Sequence, residues 1–189
     1  MAKESLLSWQ RPNGLLRRVG PRPRVLLLAC LCALAPAAAS PAFAQPYGLI
    51  NRAAPDFALR AAAGENVRLS EHRGEVVVLS FWSSRCTPCR SQLGLLNRSL
   101  ATYHSAGLVV YGVGVDDDPA QAVGFAHSAS VSFPMLLDPE KSVSRRYEVD
   151  NLPMTVLIDR GGTVRHVLRD YSAANETLYV QELRALLNE

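Results

Sequence analysis

The stretch "EVVVLSFWSSRCTPCR", from Glu75 to Arg90, decides the fold of this chain. Its first half is a continuous apolar run rich in valine, which is typical of a strand buried on both faces of a sheet. Its second half places Cys86 and Cys89 three positions apart, directly after that run. Pro88 suits the first turn of a helix, where a backbone N–H needs no partner. The stretch therefore predicts a buried strand that leads into a helix with two cysteines at its start.

Strand and helix patterns alternate on both sides of this stretch. Residues 56–74 predict two short strands joined by a turn at Gly64. The helix after the cysteines is expected to end near His104. The later segments predict, in order, a strand over Leu108–Val115, a helix over 116–129, a strand over 132–138, a short helix over 139–149, a strand over 154–159, its hairpin partner over 163–170, and a last helix over 175–189 whose Leu178, Leu183 and Leu187 face the core. This order predicts an α/β fold with a mixed central sheet.

Charge is unevenly distributed along the chain. Residues 1–44 are strongly basic and have Glu4 as their only acidic side chain, whereas the remainder has slightly more acidic than basic residues. A basic nucleic-acid-binding surface is therefore not indicated for the folded part, and we expect no nucleic-acid partner.

The N-terminal segment has the form of an export signal. Basic residues precede an apolar run over Val25–Ala35, and small residues then end in Ala42-Phe43-Ala44. This pattern predicts a signal peptide over residues 1–44 and a mature chain that begins at Gln45. An uncleaved anchor is the alternative, because Val25–Ala44 is almost long enough to span a bilayer. A lipoprotein attached at Cys30 fits less well, since few apolar residues precede that cysteine.

The domain boundaries follow from this signal. We expect a flexible lead-in over residues 45–53, and then one domain over residues 54–189, which is long enough for a single core. Cys30 and Cys32 lie in the leader, so the mature chain keeps one pair of cysteines. Export would place that pair outside the reducing cytosol, where a disulfide can persist. We expect a periplasmic monomer, either free or tethered to the inner membrane.

The rest of the sequence argues against most other uses of the cysteine pair. A structural zinc site needs about four ligands, but there is no second cysteine pair in the mature chain. Covalent haem needs a histidine directly after Cys89, and Arg90 stands there. A purely structural bridge over so short a loop would remove little entropy from the unfolded chain. The scattered histidines, which we expect to be ordinary polar residues, are His72, His104, His127 and His166. We expect no metal and no cofactor.

The surroundings of the pair favour redox chemistry. Unpaired backbone N–H groups and the positive end of the helix dipole stabilise a thiolate at a helix N-terminus. Arg85 and Arg90 flank the pair, and nearby cations are expected to lower a thiol pKa further. Cys86 is then expected to attack, and Cys89, one turn further on, to resolve the mixed disulfide.

Three segments resemble exported thioredoxin-like thiol–disulfide oxidoreductases of the TlpA/ResA family, which includes the cytochrome c maturation thioredoxins. They are "VVVLSFWSSRCTPCR" (Val76–Arg90), "NLPMTVLIDRGGTV" (Asn151–Val164) and "APDFALRAAAGENVRLSEHRG" (Ala54–Gly74). The resemblance covers residues 54–189. It implies a thioredoxin fold, in which helices flank a mixed central sheet that carries an extra N-terminal β-hairpin.

The resemblance also implies a role for individual residues. Cys86 corresponds to the nucleophile and Cys89 to the resolving thiol. Pro153 corresponds to the cis-proline beside the disulfide, and the backbone of Leu152 would pair with a substrate chain. An ordinary turn proline is the alternative for Pro153. The other residues expected near the substrate are Trp82, Arg85, Thr87 and Pro88.

Two positions depart from the family pattern. Arg85 stands where family members commonly carry Trp, which makes the rim of the site more polar and cationic. Ser80 stands where thioredoxin itself has a buried acid, so that proton-handling group is missing. The TlpA/ResA branch often has an acid after the following strand. Asp116 or Asp117 is therefore a candidate acid–base group, and an ordinary acid at a helix start is the alternative.

The implied substrates are protein disulfides, for example in apocytochrome c or copper-site proteins, and a membrane protein would supply the electrons. Two other functions remain open. A peroxiredoxin-like peroxide reductase shares the "APDF" opening, and Ser83 fits its motif, but Leu79 stands where that motif requires Pro. A non-catalytic module with a permanent disulfide could bind a partner through the proline loop and Arg85.

Overall fold

The computed structural model describes residues 47–189, so the predicted signal peptide lies outside the described residues. The strands and α-helices are β1 (Ala58–Ala61), β2 (Asn66–Arg68), β3 (Val76–Trp82), α1 (Thr87–Tyr103), β4 (Leu108–Gly114), α2 (Pro119–Ala129), β5 (Met135–Leu137), α3 (Ser142–Arg146), β6 (Met154–Ile158), β7 (Val164–Arg169) and α4 (Ala173–Leu187). Between residues 47 and 189, no helix combines the length and the hydropathy that a membrane span needs.

The strands form one mixed sheet in the order β2-β1-β5-β4-β3-β6-β7. The central strands β3, β4 and β5 run parallel, because helices connect them. Strand β6 pairs antiparallel with both β3 and β7. The hairpin of β1 and β2 joins the sheet through β5 and extends the opposite side. The predicted α/β architecture with a mixed sheet and an extra N-terminal hairpin is confirmed.

All seven residues of β3 are buried, as its uninterrupted apolar sequence predicts. Alternate side chains of the strand enter two different cores, because successive residues point to opposite faces of a sheet. Val77, Leu79 and Phe81 pack in the core on one face. Val78 and Trp82 pack on the other face, together with α1. Covered faces on both sides hold the end of β3, and therefore the cysteines that follow it, in a fixed position.

The last helix buries a different set of side chains from the predicted one. Leu183 is fully buried, but Leu178 is 44% exposed, so its predicted place in the core is wrong. Tyr179 and Leu186 lie in the core with Leu183. These three residues recur at intervals of four and three along the helix and share one face, whereas Leu178 lies about 100° away from Tyr179 around the axis.

Where the sequence predicts a flexible lead-in, residues 47–53 are hydrogen bonded to the start of β7. The N–H of Asn51 donates to the carbonyl of Val164 at 2.7 Å, and the N–H of Val164 donates to the carbonyl of Arg52 at 2.9 Å. The side chains of Tyr47 and Leu49 pack against the core. The apolar surface that they bury there offsets part of the entropy lost when the segment is ordered.

Candidate active site

The two cysteines are joined by a disulfide at the N-terminus of α1. Cys86 is the N-cap residue and has an extended backbone, and its Cα lies 5.3 Å from that of Cys89. Cys89 is completely buried against α1 and the sheet, whereas Cys86 is partly exposed. An attacking or attacked sulfur must be reachable by its partner. The structure therefore presents Cys86 to the outside and keeps Cys89 behind it.

A buried carboxylate holds the turn that precedes the disulfide. Asp116 follows β4, and only 9% of it is exposed. Its oxygens accept the backbone N–H of Ser84 at 2.8 and 3.1 Å and the Ser84 hydroxyl at 2.8 Å. The N–H of Cys86 then donates to the carbonyl of Ser83 at 3.1 Å and closes the turn. Asp116, predicted as a candidate acid–base group, is thus bonded to the cysteine loop and not to either sulfur.

Asp117 has a different position. Its side chain is exposed, and one of its oxygens lies 2.6 Å from Nζ of Lys141. The hydrogen bond and the charge of Lys141, together with the more distant guanidinium of Arg85, lower the pKa of Asp117. The two neighbouring acids therefore do different things, because one orders the cysteine loop and the other holds a lysine at the surface.

An open groove of about 700 Å³ runs past the disulfide. On one side it is lined by Cys86 and its neighbours Arg85, Thr87 and Pro88, and on the other by Leu152. Five of the predicted catalytic and substrate-binding residues therefore share one surface. A groove of this size beside an accessible sulfur can hold an extended segment of another chain.

Pro153 directly follows the groove residue Leu152 and is itself buried. The Leu152–Pro153 peptide bond is cis. The Leu152 N–H donates to Oδ1 of Asn151 at 2.8 Å, and Nδ2 of Asn151 donates to the carboxylate of Asp170. The carbonyl of Pro153 accepts the N–H of Asp170 at 3.1 Å. The N–H of Leu152, whose backbone the resemblance assigns to pairing with a substrate chain, is therefore occupied by a neighbouring side chain.

Trp82, predicted as a substrate contact, is fully buried and does not line the groove. Its ring stacks on Phe125 with 4.8 Å between the centroids. It lies on the same side of the sheet as Cys89, within one apolar cluster. The end of β3 points this side chain toward α1 because alternate residues of a strand face opposite ways. Trp82 belongs to the same apolar cluster as Cys89 and, being fully buried, is not available to a bound chain.

The sequence pattern of the AhpC/TSA family matches residues 50–167. The chain belongs to the AhpC/TSA family. The thiol–disulfide oxidoreductase ResA of Geobacillus kaustophilus is 33% identical over 119 residues, which cover 63% of this chain and 68% of that protein. ResA of Geobacillus thermodenitrificans is 31% identical over 145 residues, which cover 76% of this chain and 83% of that protein.

A solved structure supports the same family assignment. The crystal structure of a proposed thiol:disulfide interchange protein, DsbE from Chlorobium tepidum, is 35% identical and has a TM-score of 0.69. The structural match covers 71% of this chain and 95% of the DsbE chain. The chain is thus a TlpA/ResA-type member of the AhpC/TSA family with a thioredoxin-like fold. It is a thiol–disulfide oxidoreductase.

The two arginines beside the cysteines of this AhpC/TSA family member face different ways. Arg85 is exposed at the groove. Arg90 points toward α2, where its guanidinium donates to the carbonyl and the hydroxyl of Ser128 at 2.8 and 3.0 Å. The Arg90 guanidinium also lies 4.8 Å from the centre of the Phe125 ring. The sequence predicts both as flanking cations, and the structure gives only Arg85 a place on the groove.

Sequence reasoning missed several residues that fix the site of this TlpA/ResA-type protein. Nε2 of Gln92 donates to Oγ1 of Thr155 at 2.8 Å in a buried position, which ties the cysteine helix to the strand after Pro153. A Cβ on Gly114 would lie 2.7 Å from the Trp82 ring, so the ring fits only because that residue is glycine. The sequence signals that could have identified Gln92 and Gly114 are a glutamine on the apolar face of α1 and a glycine in a buried strand.

Proposed function

We propose that this protein reduces disulfide bonds in other exported proteins, with Cys86 as the nucleophile and Cys89 as the resolving thiol. One observation carries the proposal. Cys86, which is partly exposed, stands at a helix N-terminus in the wall of an open groove and is bonded to Cys89, which is completely buried.

The reaction follows from this arrangement. In the reduced protein, the Cys86 thiolate attacks one sulfur of a partner disulfide, and the other partner sulfur leaves as a thiolate that takes up a proton. The Cys89 thiolate then attacks the sulfur of Cys86, restores the disulfide of this protein and releases the second partner thiolate. Two electrons pass to the partner, and the two protons of the enzyme dithiol balance them.

Helix α1 assists the first step. The N-terminal backbone N–H groups of a helix have no intrahelical partners, and the dipole is positive at that end. Both effects favour the thiolate of Cys86 over its thiol. The buried position of Cys89 delays its reaction with solvent oxidants and leaves it next to Cys86 for the release step.

The groove provides the binding site for the partner chain. Leu152 forms the wall opposite the cysteine loop, and its backbone is the group we assign to pairing with the substrate. An incoming carbonyl would replace Oδ1 of Asn151 on the Leu152 N–H, because that donor is already bonded. Thr87 and Pro88 line the same groove and would contact the chain on the cysteine side.

A trapping experiment tests the assignment of the two cysteines. Cys89→Ser removes the release step, so the variant should accumulate mixed disulfides through Cys86 when it is reduced and mixed with a disulfide-containing protein such as insulin. Cys86→Ser is the matched control and should trap nothing. Trapping through Cys89 at the rate seen for Cys86 would contradict the proposal.

The cellular setting is part of the same proposal. The basic and apolar N-terminal sequence supports export to the periplasm, where the protein would be soluble or tethered to the inner membrane. A membrane protein would return electrons to the disulfide, and apocytochrome c or copper-site proteins would receive them. The mature protein should begin at Gln45 when its intact mass is measured. A mass that retains Val25–Ala44 would mean a membrane anchor.

Two alternatives make different demands. A peroxiredoxin-like enzyme should consume hydrogen peroxide through Cys86 much faster than it reduces a protein disulfide. A binding module with a permanent bridge should have a reduction potential below about −300 mV, in the range of structural disulfides. Two measurements separate these functions from disulfide reduction. One compares the rates of reaction with hydrogen peroxide and with insulin, and the other is a redox titration against glutathione.

A further inference from the structure

The groove beside the disulfide has an unbalanced charge. Three of the residues that line it are charged, namely Arg85, Lys141 and Asp150. Lys141 is paired with Asp117 at 2.6 Å, and Asp150 is paired with Arg169 at 3.2 Å. Arg85 forms no ion pair with any residue of the described range 47–189.

Arg85 also lines an adjoining pocket with Asp116, Asp117 and Asp118. These acids have other partners, since Asp116 accepts from Ser84, Asp117 is paired with Lys141 and Asp118 accepts from the N–H of Ala120. Arg85 is therefore the charged side chain on the groove that is left without an ion pair among residues 47–189.

The charge of Arg85 also lies at a defined place, next to the disulfide. Arg85 directly precedes Cys86, so its side chain starts one residue from the sulfur that is expected to attack. Its guanidinium helps to lower the pKa of Asp117, although Lys141 contributes more. The field of Arg85 therefore reaches Asp117, an acid that is already paired with Lys141.

We propose that Arg85 selects substrate chains that carry an acidic residue next to the cysteine under attack. This inference rests on the proposed disulfide reductase function and names the class of substrate. An acidic side chain at that place gains an ion pair and breaks none, whereas a basic side chain meets a like charge. Charge complementarity of this kind changes association rates and partner choice more than it changes overall affinity.

The expected preference is moderate. An exposed ion pair changes an equilibrium by up to about fivefold. Repulsion of a basic residue acts in the opposite direction, so an acidic and a basic substrate should differ by about tenfold at low salt. The difference should shrink to about twofold at molar salt, where the screening length is about 3 Å.

The test uses two synthetic peptides with the same internal disulfide, flanked at its first cysteine by Glu in one and by Lys in the other. The full-length mature protein is reduced with dithiothreitol, freed of reductant and mixed with each peptide, and the second-order rate of peptide reduction is measured. The two peptides differ in intrinsic reactivity, and Arg85 could also change the reactivity of Cys86. The quantity compared is therefore the rate ratio between the peptides in each variant, relative to the same ratio in the wild-type protein, because both effects cancel in it.

Three variants decide the outcome. Arg85→Gln should lower the Glu-to-Lys rate ratio by about fivefold or more, and Arg85→Glu should lower it further. Arg90→Gln is the matched control, because it removes a cation beside the other cysteine that is bonded to Ser128 and faces α2. That variant should keep the wild-type ratio.

The possible failures are distinguishable. An unchanged ratio in Arg85→Gln would overturn the inference, and so would an equal fall in Arg90→Gln, since the effect would then be a general one of net charge. Both results would leave the disulfide reductase function in place. If the reduced wild-type protein reduced neither peptide and no protein disulfide, the proposed function itself would fail, and this inference with it.

Discussion

Replacing Asp116 should loosen the cysteine loop and destabilise the protein. The carboxylate accepts the N–H and the hydroxyl of Ser84 in a position where only 9% of Asp116 is exposed. Hydrogen bonds to a charged group contribute about 1.5–3 kcal/mol each in partly buried sites. Asp116→Asn keeps one acceptor oxygen and should cost about 1–2 kcal/mol of unfolding free energy, and Asp116→Ala, which loses both bonds, about 2–4 kcal/mol.

Urea unfolding of the oxidised protein measures these values, and Ser84→Ala is the matched partner variant. Ser84→Ala keeps the carboxylate and the backbone bond and should cost about 1–2 kcal/mol. The double variant Ser84→Ala with Asp116→Asn should lose less unfolding free energy than the sum of the losses in the two single variants, because the two residues are in contact. Additive losses, or an Asp116→Asn midpoint equal to that of the wild type, would refute the view that this carboxylate holds the loop.

The same variants separate a positioning role from acid–base catalysis. If Asp116 acts through Ser84, Asp116→Asn and Ser84→Ala should slow disulfide exchange by similar factors and leave the shape of the pH–rate profile unchanged. If Asp116 exchanges protons with the cysteines, Asp116→Asn alone should remove a step from that profile. The second outcome would support the acid–base role that the family resemblance implies for Asp116.

Two further predictions concern the disulfide and the residue that packs behind it. After mild reduction at neutral pH, iodoacetamide should label Cys86 much faster than Cys89, because Cys89 is fully buried; equal labelling by peptide mass spectrometry would contradict the assignment of the nucleophile. Gly114→Ala should cost about 1–3 kcal/mol by overpacking, since its Cβ would lie 2.7 Å from the buried Trp82 ring, whereas Gly124→Ala has open space and should stabilise α2 by up to about 1 kcal/mol in thermal unfolding.

The sequence predicted the architecture because its strongest signals are local and agree with one another. The valine-rich run predicts the buried strand β3, and Pro88 predicts the start of α1. The last helix shows where this reasoning ends. Leucines at three positions suggested a core face, but Tyr179 takes the place in the core expected for Leu178. Which face is buried depends on the sheet that the helix meets, and that information is not in the helix.

The site was predicted unevenly for a similar reason. Residues next to the cysteines in sequence could be assigned from the motif, and Arg85, Thr87 and Pro88 do line the groove. Contacts between distant segments could not be assigned, such as that of Asp116 with Ser84 or of Gln92 with Thr155. Each depends on the register of the strands and on the rotation of α1, which only the packed structure determines.

The distant contacts explain how one short motif can act with precision. The cysteine loop is hydrogen bonded to Asp116 in the segment after β4, and Gln92 of α1 is hydrogen bonded to Thr155 of β6. Both walls of the groove are therefore attached to the most deeply buried strands of the sheet. Ordering of this kind would hold the sulfur of Cys86 and the Leu152 backbone in fixed relative positions for the proposed reaction, and sites built on rigid elements hold such geometry better than free loops do. The one charged side chain on the groove that no ion pair restrains among residues 47–189 is Arg85. In the proposal made above, this side chain is the one that would favour partner chains with a negative charge beside the cysteine.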